Sequence, residues 1–115
     1  DHRRAATRML TPELLATFTA LDDRRAAAAV AQTLGILAVT LWAAASVWTW
    51  WIVLPAIVIV ATQQHALFVL AHDAAHYRLF SRRGLNEAVG RLMGSAAGIS
   101  MCSYRVIHRL HHNHL

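Results

Sequence analysis

"AAAAVAQTLGILAVTLWAAASVWTWWIVLPAIVIVATQQHALFVLA", residues 26–71, runs for 46 residues without an Asp, Glu, Lys or Arg. Gln32, Gln63, Gln64 and His65 are its strongly polar interruptions. As one helix it would extend roughly 69 Å at about 1.5 Å per residue. A bilayer's hydrocarbon core is only about 30 Å thick, so two crossings fit better than one. Trp48, Trp50 and Trp51 sit near the midpoint. Tryptophan favours the membrane interface, where its ring is half buried and its N–H stays wet. The run therefore predicts a hairpin: a first span over about 27–47, a turn at the tryptophans, and a second span to about 71. Pro55 is expected in the first turn of the second span, where a missing N–H costs least.

The flanks carry the charge. The chain has 115 residues, 57% hydrophobic and 15% charged, which is too apolar for an ordinary soluble domain. Its net charge is +5, and every basic residue is arginine. Arg24 and Arg25 precede the first span, Arg78, Arg82 and Arg83 follow the second, and the turn around Thr49 is uncharged. The positive-inside rule then places both ends of the hairpin in the cytoplasm. A hairpin buried in a soluble protein is the competing reading, but so short a chain offers little to bury it. No nucleic-acid partner is expected, because the arginines flank apolar spans and no basic and aromatic interleaving occurs elsewhere. The lone Cys102 excludes an internal disulfide and a cysteine-based zinc site. No secretory signal is seen: the apolar region is too long and too far in.

Before the hairpin, "LTPELLATFTALDD" reads as a short helix. Thr11 can cap it, Pro12 suits its first position, and Glu13 favours the positive end of its dipole. Leu14, Leu15, Phe18 and Leu21 form one stripe. This helix is expected either on the membrane surface or packed on another part of the protein. After the hairpin, Leu85, Ala88, Val89, Leu92, Met93 and Ala96 recur at helical spacing, with Glu87 and Arg91 outside the stripe. That pattern predicts an amphipathic helix in the headgroup plane, with packing against further transmembrane segments as the alternative. Gly94, Gly98 and Ser100 loosen the chain after it.

Two histidine clusters remain. In "HDAAH", His72 and His76 are four apart and project from one helical face, where they can share a metal. Asp73 points about 100° away and suits an orienting role toward a neighbouring ring. His65 lies within about 20° of the same face but deeper in the span. It reads as a hydrogen-bonded core histidine near Gln63 or Gln64, or as a support for a ligand. In "HRLHHNH", helical geometry brings His108, His111 and His112 to one face and turns His114 to the other. Neutral imidazoles suit iron, zinc, copper and nickel. No HExxH occurs, so the zinc-protease pattern is absent.

An HxxxH box at the end of a transmembrane hairpin, then an HxxHH box some thirty residues on, resembles the membrane fatty acid desaturase superfamily. "HALFVLAHDAAHYRLFSRRGLNEAVGRLMG" and "YRVIHRLHHNH" both resemble its bacterial members. The resemblance implies an all-α membrane protein with two iron ions, in which His72, His76, His108, His111 and His112 are ligands. It implies an oxidoreductase that uses O₂ and two electrons to introduce a double bond into a fatty acyl chain. The partners implied are the bilayer, a fatty acyl substrate and an electron donor such as a ferredoxin or a cytochrome b5-type protein. The location implied is the bacterial inner membrane. A lipid or carotenoid hydroxylase or ketolase of the same superfamily is the near alternative, and a non-enzymatic haem- or metal-binding membrane protein the distant one.

The family's third box does not occur in the 115 residues, and the chain begins with Asp1 rather than Met. The chain therefore reads as the N-terminal part of a desaturase-like domain, inactive by itself. Its expected organisation is a cytoplasmic N-terminal helix over 1–25, the transmembrane hairpin over 26–72 and a cytoplasmic His-box region over 73–115.

Overall fold

The structure is a computed structural model that describes residues 11–114, apart from the side chains of Phe18, Asn113 and His114. The described residues form helices only: α1 (Pro12–Thr19), α2 (Asp23–Ser46), α3 (Trp50–Ala75), α4 (Arg83–Ala96) and α5 (Met101–His114). The fold is all-α, as expected.

In α1, the Thr11 hydroxyl accepts from Leu14 N at 3.3 Å, with Pro12 at the first position. Leu14 and Leu15 are exposed, while Leu21, just beyond the helix, is half-buried. Asp22 caps α2 by accepting from Arg24 N (3.0 Å) and Arg25 N (3.1 Å). Helix α2 thus starts four residues earlier than the predicted span and carries both arginines in its first turn.

α2 and α3 form the predicted hairpin, and both are long and apolar enough to cross a membrane. In their most apolar stretches only 11% and 6% of residues are buried. A core helix of a soluble protein would be mostly buried, so these surfaces suit lipid. The spans pack through Val30, Leu34 and Leu37 against a core containing Ala26, Leu67, Leu70, Ala71 and Ala74. Residues 47–49 make the turn, and Thr49 occupies the N-cap of α3. Pro55 is therefore the sixth residue of α3, not in its first turn as expected. Its ring removes the N–H that would have reached back to the Trp51 carbonyl.

α3 continues without a break past residue 72 to Ala75 and ends in a Schellman motif. Arg78 N donates to Asp73 O (2.9 Å) and Tyr77 N to Ala74 O (3.1 Å). Tyr77 holds the left-handed position with φ +57°, which normally favours glycine. The connector then folds back onto α2: Ser81 N and Oγ donate to the two Asp23 carboxylate oxygens at 2.7 and 2.6 Å. The two ends of the hairpin therefore lie together. These bonds from Ser81 also hold the Asp23 carboxyl below its usual range.

α4 packs inward through a face that shares only Val89 and Met93 with its apolar stripe, which was expected in the headgroup plane. Asn86, Gly90, Met93 and Gly94 are buried. Leu85, Ala88, Leu92 and Ala96 are exposed, and Val89 is half-buried. Close approach decides the matter. A Cβ on Gly90 would stand 3.0 Å from Ala74 Cβ and 2.7 Å from Met101 Cε, so only glycine lets α4 touch both α3 and α5 here. Asn86 fills the same seam with all its bonding capacity used. Its Oδ1 accepts from Leu79 N (3.1 Å) and Phe80 N (3.0 Å), and its Nδ2 donates to Phe80 O (2.6 Å) and Arg82 O (2.9 Å). The stripe of leucines is left facing outward.

α4 ends in a second Schellman motif, with Gly98 at φ +78°. Ile99 N donates to Gly94 O and Gly98 N to Ser95 O. The reversal sends α5 back across α3 and carries the second histidine cluster to the first.

Candidate metal centre

His72 stands in the last turn of α3, and His76 is its C-cap. His108 and His112 stand one turn apart on α5. The two boxes meet. His76 Nε2 lies 2.7 Å from His108 Nε2, and His112 Nε2 lies 3.0 Å from the same atom. The His72 ring centre is 4.7 Å from that of His76 and 4.8 Å from that of His108. His72, His76 and His108 each present a ligand atom within 4.8 Å of the others'.

The donor chemistry fits a metal. An imidazole nitrogen carries either one hydrogen or one lone pair. His108 Nε2 thus satisfies one of its two facing nitrogens and leaves the other opposed. A cation shared by the lone pairs removes that conflict. The neutral form that binds metal is favoured: partial burial, then the neighbouring imidazoles, hold His76 and His108 below the ordinary histidine range. His72 Nδ1 lies 3.4 Å from Oδ1 of Asp73, the residue for which an orienting role was expected.

The other expected site residues are placed less closely. The His111 ring is 6.5 Å from that of His108 and 5.9 Å from that of His112, outside the tight group. The backbone of α5 reaches His114, but its side-chain direction lies outside the described residues. His65 is exposed on α3, not buried in a core. An open cleft of about 440 Å³ adjoins the cluster, lined among others by Tyr77, Arg105, His108, Arg109 and His112.

Two features of the site escaped the sequence reading. Tyr104 lies flat against His108, one turn along α5, with ring centres 5.2 Å apart at 14°. It also meets Phe68 of α3 edge-on at 5.5 Å. Glu87 accepts from Tyr77 Oη (2.6 Å) and from Arg105 Nη1 through both its oxygens (2.6 Å each). The Arg105 bonds first, then the Tyr77 bond, hold the Glu87 carboxyl below its usual range. One signal was present: after Asp23 the only acids are Asp73 and Glu87, set among six arginines beyond residue 71.

Comparison with known proteins adds to this geometry. The fatty acid desaturase family profile matches residues 48–115. A chloroplastic omega-3 fatty acid desaturase of Glycine max is 41% identical over 49 residues. A chloroplastic sn-2 acyl-lipid omega-3 desaturase (ferredoxin) of Helianthus annuus is 42% identical over 50 residues, as is a chloroplastic omega-3 fatty acid desaturase of Ricinus communis. Each match covers 43% of this chain and 11% of the relative. No solved structure matches.

Proposed function

The chain belongs to the fatty acid desaturase family, and from that premise we propose that it forms the first two histidine boxes of a membrane-bound di-iron oxidoreductase acting on a fatty acyl chain. The observation that carries this is the 2.7 Å approach of His76 to His108, residues 32 apart in the chain. His72, His76, His108 and His112 would hold iron, and His111, standing off the tight group, would serve a second ion. Iron with O₂ and two electrons supplies the oxidising power for an unactivated methylene, which no side chain offers.

The protein's own part is placement. The hairpin puts the imidazoles just beyond its apolar surface, where an acyl chain can arrive from the bilayer and a soluble donor from the other side. Asp73 steers the His72 ring, and Tyr104, itself edge-on to Phe68, stacks on the His108 ring. The electron donor is proposed to be a ferredoxin or a cytochrome b5-type protein. The name of the Helianthus annuus relative, a ferredoxin desaturase, supports the former. The relatives' names also favour desaturation over hydroxylation.

For topology, the arginines at both hairpin ends support placing residues 1–25 and 73–115 on one side, the cytoplasmic or equivalent face. The matched relatives are chloroplastic by name. The proposal therefore concerns the side and not a bacterial membrane in particular.

In the full-length enzyme that contains these helices, His72→Ala, His108→Ala and His111→Ala should abolish the unsaturated product in lipid profiles while membrane insertion persists. Near-normal product from these variants would remove the ligand assignment. A reporter fused near Thr49 should be labelled only from the side opposite the arginines.

A further inference from the structure

Helix α5 has little apolar anchorage. Met101 is its one fully buried residue among those described, and Val106, Ile107 and Leu110 are 62%, 66% and 53% exposed. Apart from Tyr104, which meets Phe68 edge-on, rotation of α5 about its axis would expose or bury little apolar surface, so burial by itself does not decide where His108 and His112 point. Something directional must.

A polar junction meets that need. Tyr77 follows His76 directly and sits in the left-handed conformation at φ +57°. Its hydroxyl donates to Glu87 of α4 at 2.6 Å. Glu87 in turn receives both bonds from Arg105 Nη1, and Arg105 is three residues before His108. Arg105 Nη2 also reaches Ala74 O in the last turn of α3, at 3.5 Å. The Arg105 and Arg83 guanidinium carbons lie 5.1 and 4.6 Å from the Tyr77 ring centre. The junction thus ties the residue after the first box to the residue one turn before the second, through α4. Charged hydrogen bonds are directional, and the guanidinium fork fixes both distance and rotation.

We propose that Tyr77, Glu87 and Arg105 are positioning residues that set the rotation of α5 and so bring His108 and His112 into register with His72 and His76. This rests on the ligand reading above and goes beyond it. None of the three is among the proposed ligands. Glutamine at 87 keeps the shape but weakens the charged bonds. Lysine at 105 keeps the charge but loses the fork.

The test is a cobalt(II) titration of the detergent-solubilised 115-residue chain. It reads the dissociation constant and the visible ligand-field band, with circular dichroism to confirm helix content. The parent chain should bind, and His108→Ala should not. Glu87→Gln and Arg105→Lys should each weaken binding by roughly tenfold, as outer supports of metal ligands do, and shift the band at unchanged helix content. The pair Glu87→Arg with Arg105→Glu should recover part of that loss. Parent-like binding and an unshifted band in Glu87→Gln, with His108→Ala silent, would overturn the positioning role and leave the ligand reading standing. Loss in the swapped pair equal to the sum of the single losses would also overturn it. Cobalt binding unchanged in His108→Ala would overturn the ligand reading, and the positioning role with it.

Discussion

The two ends of the hairpin are specified in different ways. At the turn, Trp48, Trp50 and Trp51 are 81%, 68% and 60% exposed, and the Thr49 hydroxyl makes no cap bond. What places this end is its surroundings: a bilayer interface suits the tryptophans, and lipid suits the flanks. At the histidine end, Ala71, Ala74, Asn86 and Met93 are fully buried, and bonds between residues 7 to 58 positions apart tie the elements together. The contrast teaches that solvent chooses the hairpin, whereas internal polar geometry chooses the site.

Substitutions can break this comparison. The largest effect is expected at Asn86. Asn86→Ala strands the Leu79 and Phe80 amides and the Phe80 carbonyl, and buried groups left unpaired cost about 1–3 kcal/mol each. Denaturant unfolding in detergent should show a loss of roughly 3 kcal/mol or more. Next is Gly90→Ala, expected to cost about 1–2 kcal/mol through overpacking. Met101 is flexible enough to yield, but Ala74 on α3 is not. Gly35→Ala in the hairpin is the matched control. Its new Cβ meets nothing within 4 Å, so a gain of up to about 1 kcal/mol in helix propensity is expected.

The smallest effect belongs to the lipid-facing surface. Leu41→Ala, at a position 55% exposed, should change stability by no more than about 0.5 kcal/mol. A large loss there would show that the flank packs on protein. Acid sharpens the other end. Glu87 titrates below its usual range when folded, so its contribution is present above the ordinary carboxylate pKa and is lost as pH falls through the depressed value. Hydrogen exchange of the α5 amides should rise in that acidic window in the parent chain and show no such step in Glu87→Gln.

Much of the plan was legible in the residues. The uncharged run forced two spans, and the tryptophans marked the turn to within a residue or two. Thr11, Pro12 and Glu13 announced the start of α1. The histidine spacings put His72 and His76 on one face and His108, His111 and His112 on another; of these five, His111 stands off the tight group. The stripe of α4 was expected in the headgroup plane, and Leu85, Ala88, Leu92 and Ala96 stay exposed; which residues pack inward was not legible, because periodicity reports where apolar residues recur, not how near another backbone can come. Gly90 and Asn86 win the interface by closeness and by hydrogen bonding, and neither registers in a hydrophobic stripe. Pro55 was misplaced because the N-cap lay earlier than the spacing suggested. Tyr77 gave no sign, since nothing local asks a tyrosine to take a left-handed φ.

By itself the sequence determined what depends on neighbours along the chain: helices, caps, the membrane-length spans and the grouping of imidazoles on each helical face. Only the tertiary structure decided that the two faces meet at 2.7 Å, that Glu87 is bound by Arg105, and that α4 packs inward through Asn86 and Gly90. Those outcomes depend on contacts between residues 10 to 59 positions apart in the chain, and such contacts exist only after two Schellman-type reversals, one permitted by Gly98 and one forced on Tyr77, have folded the chain back on itself.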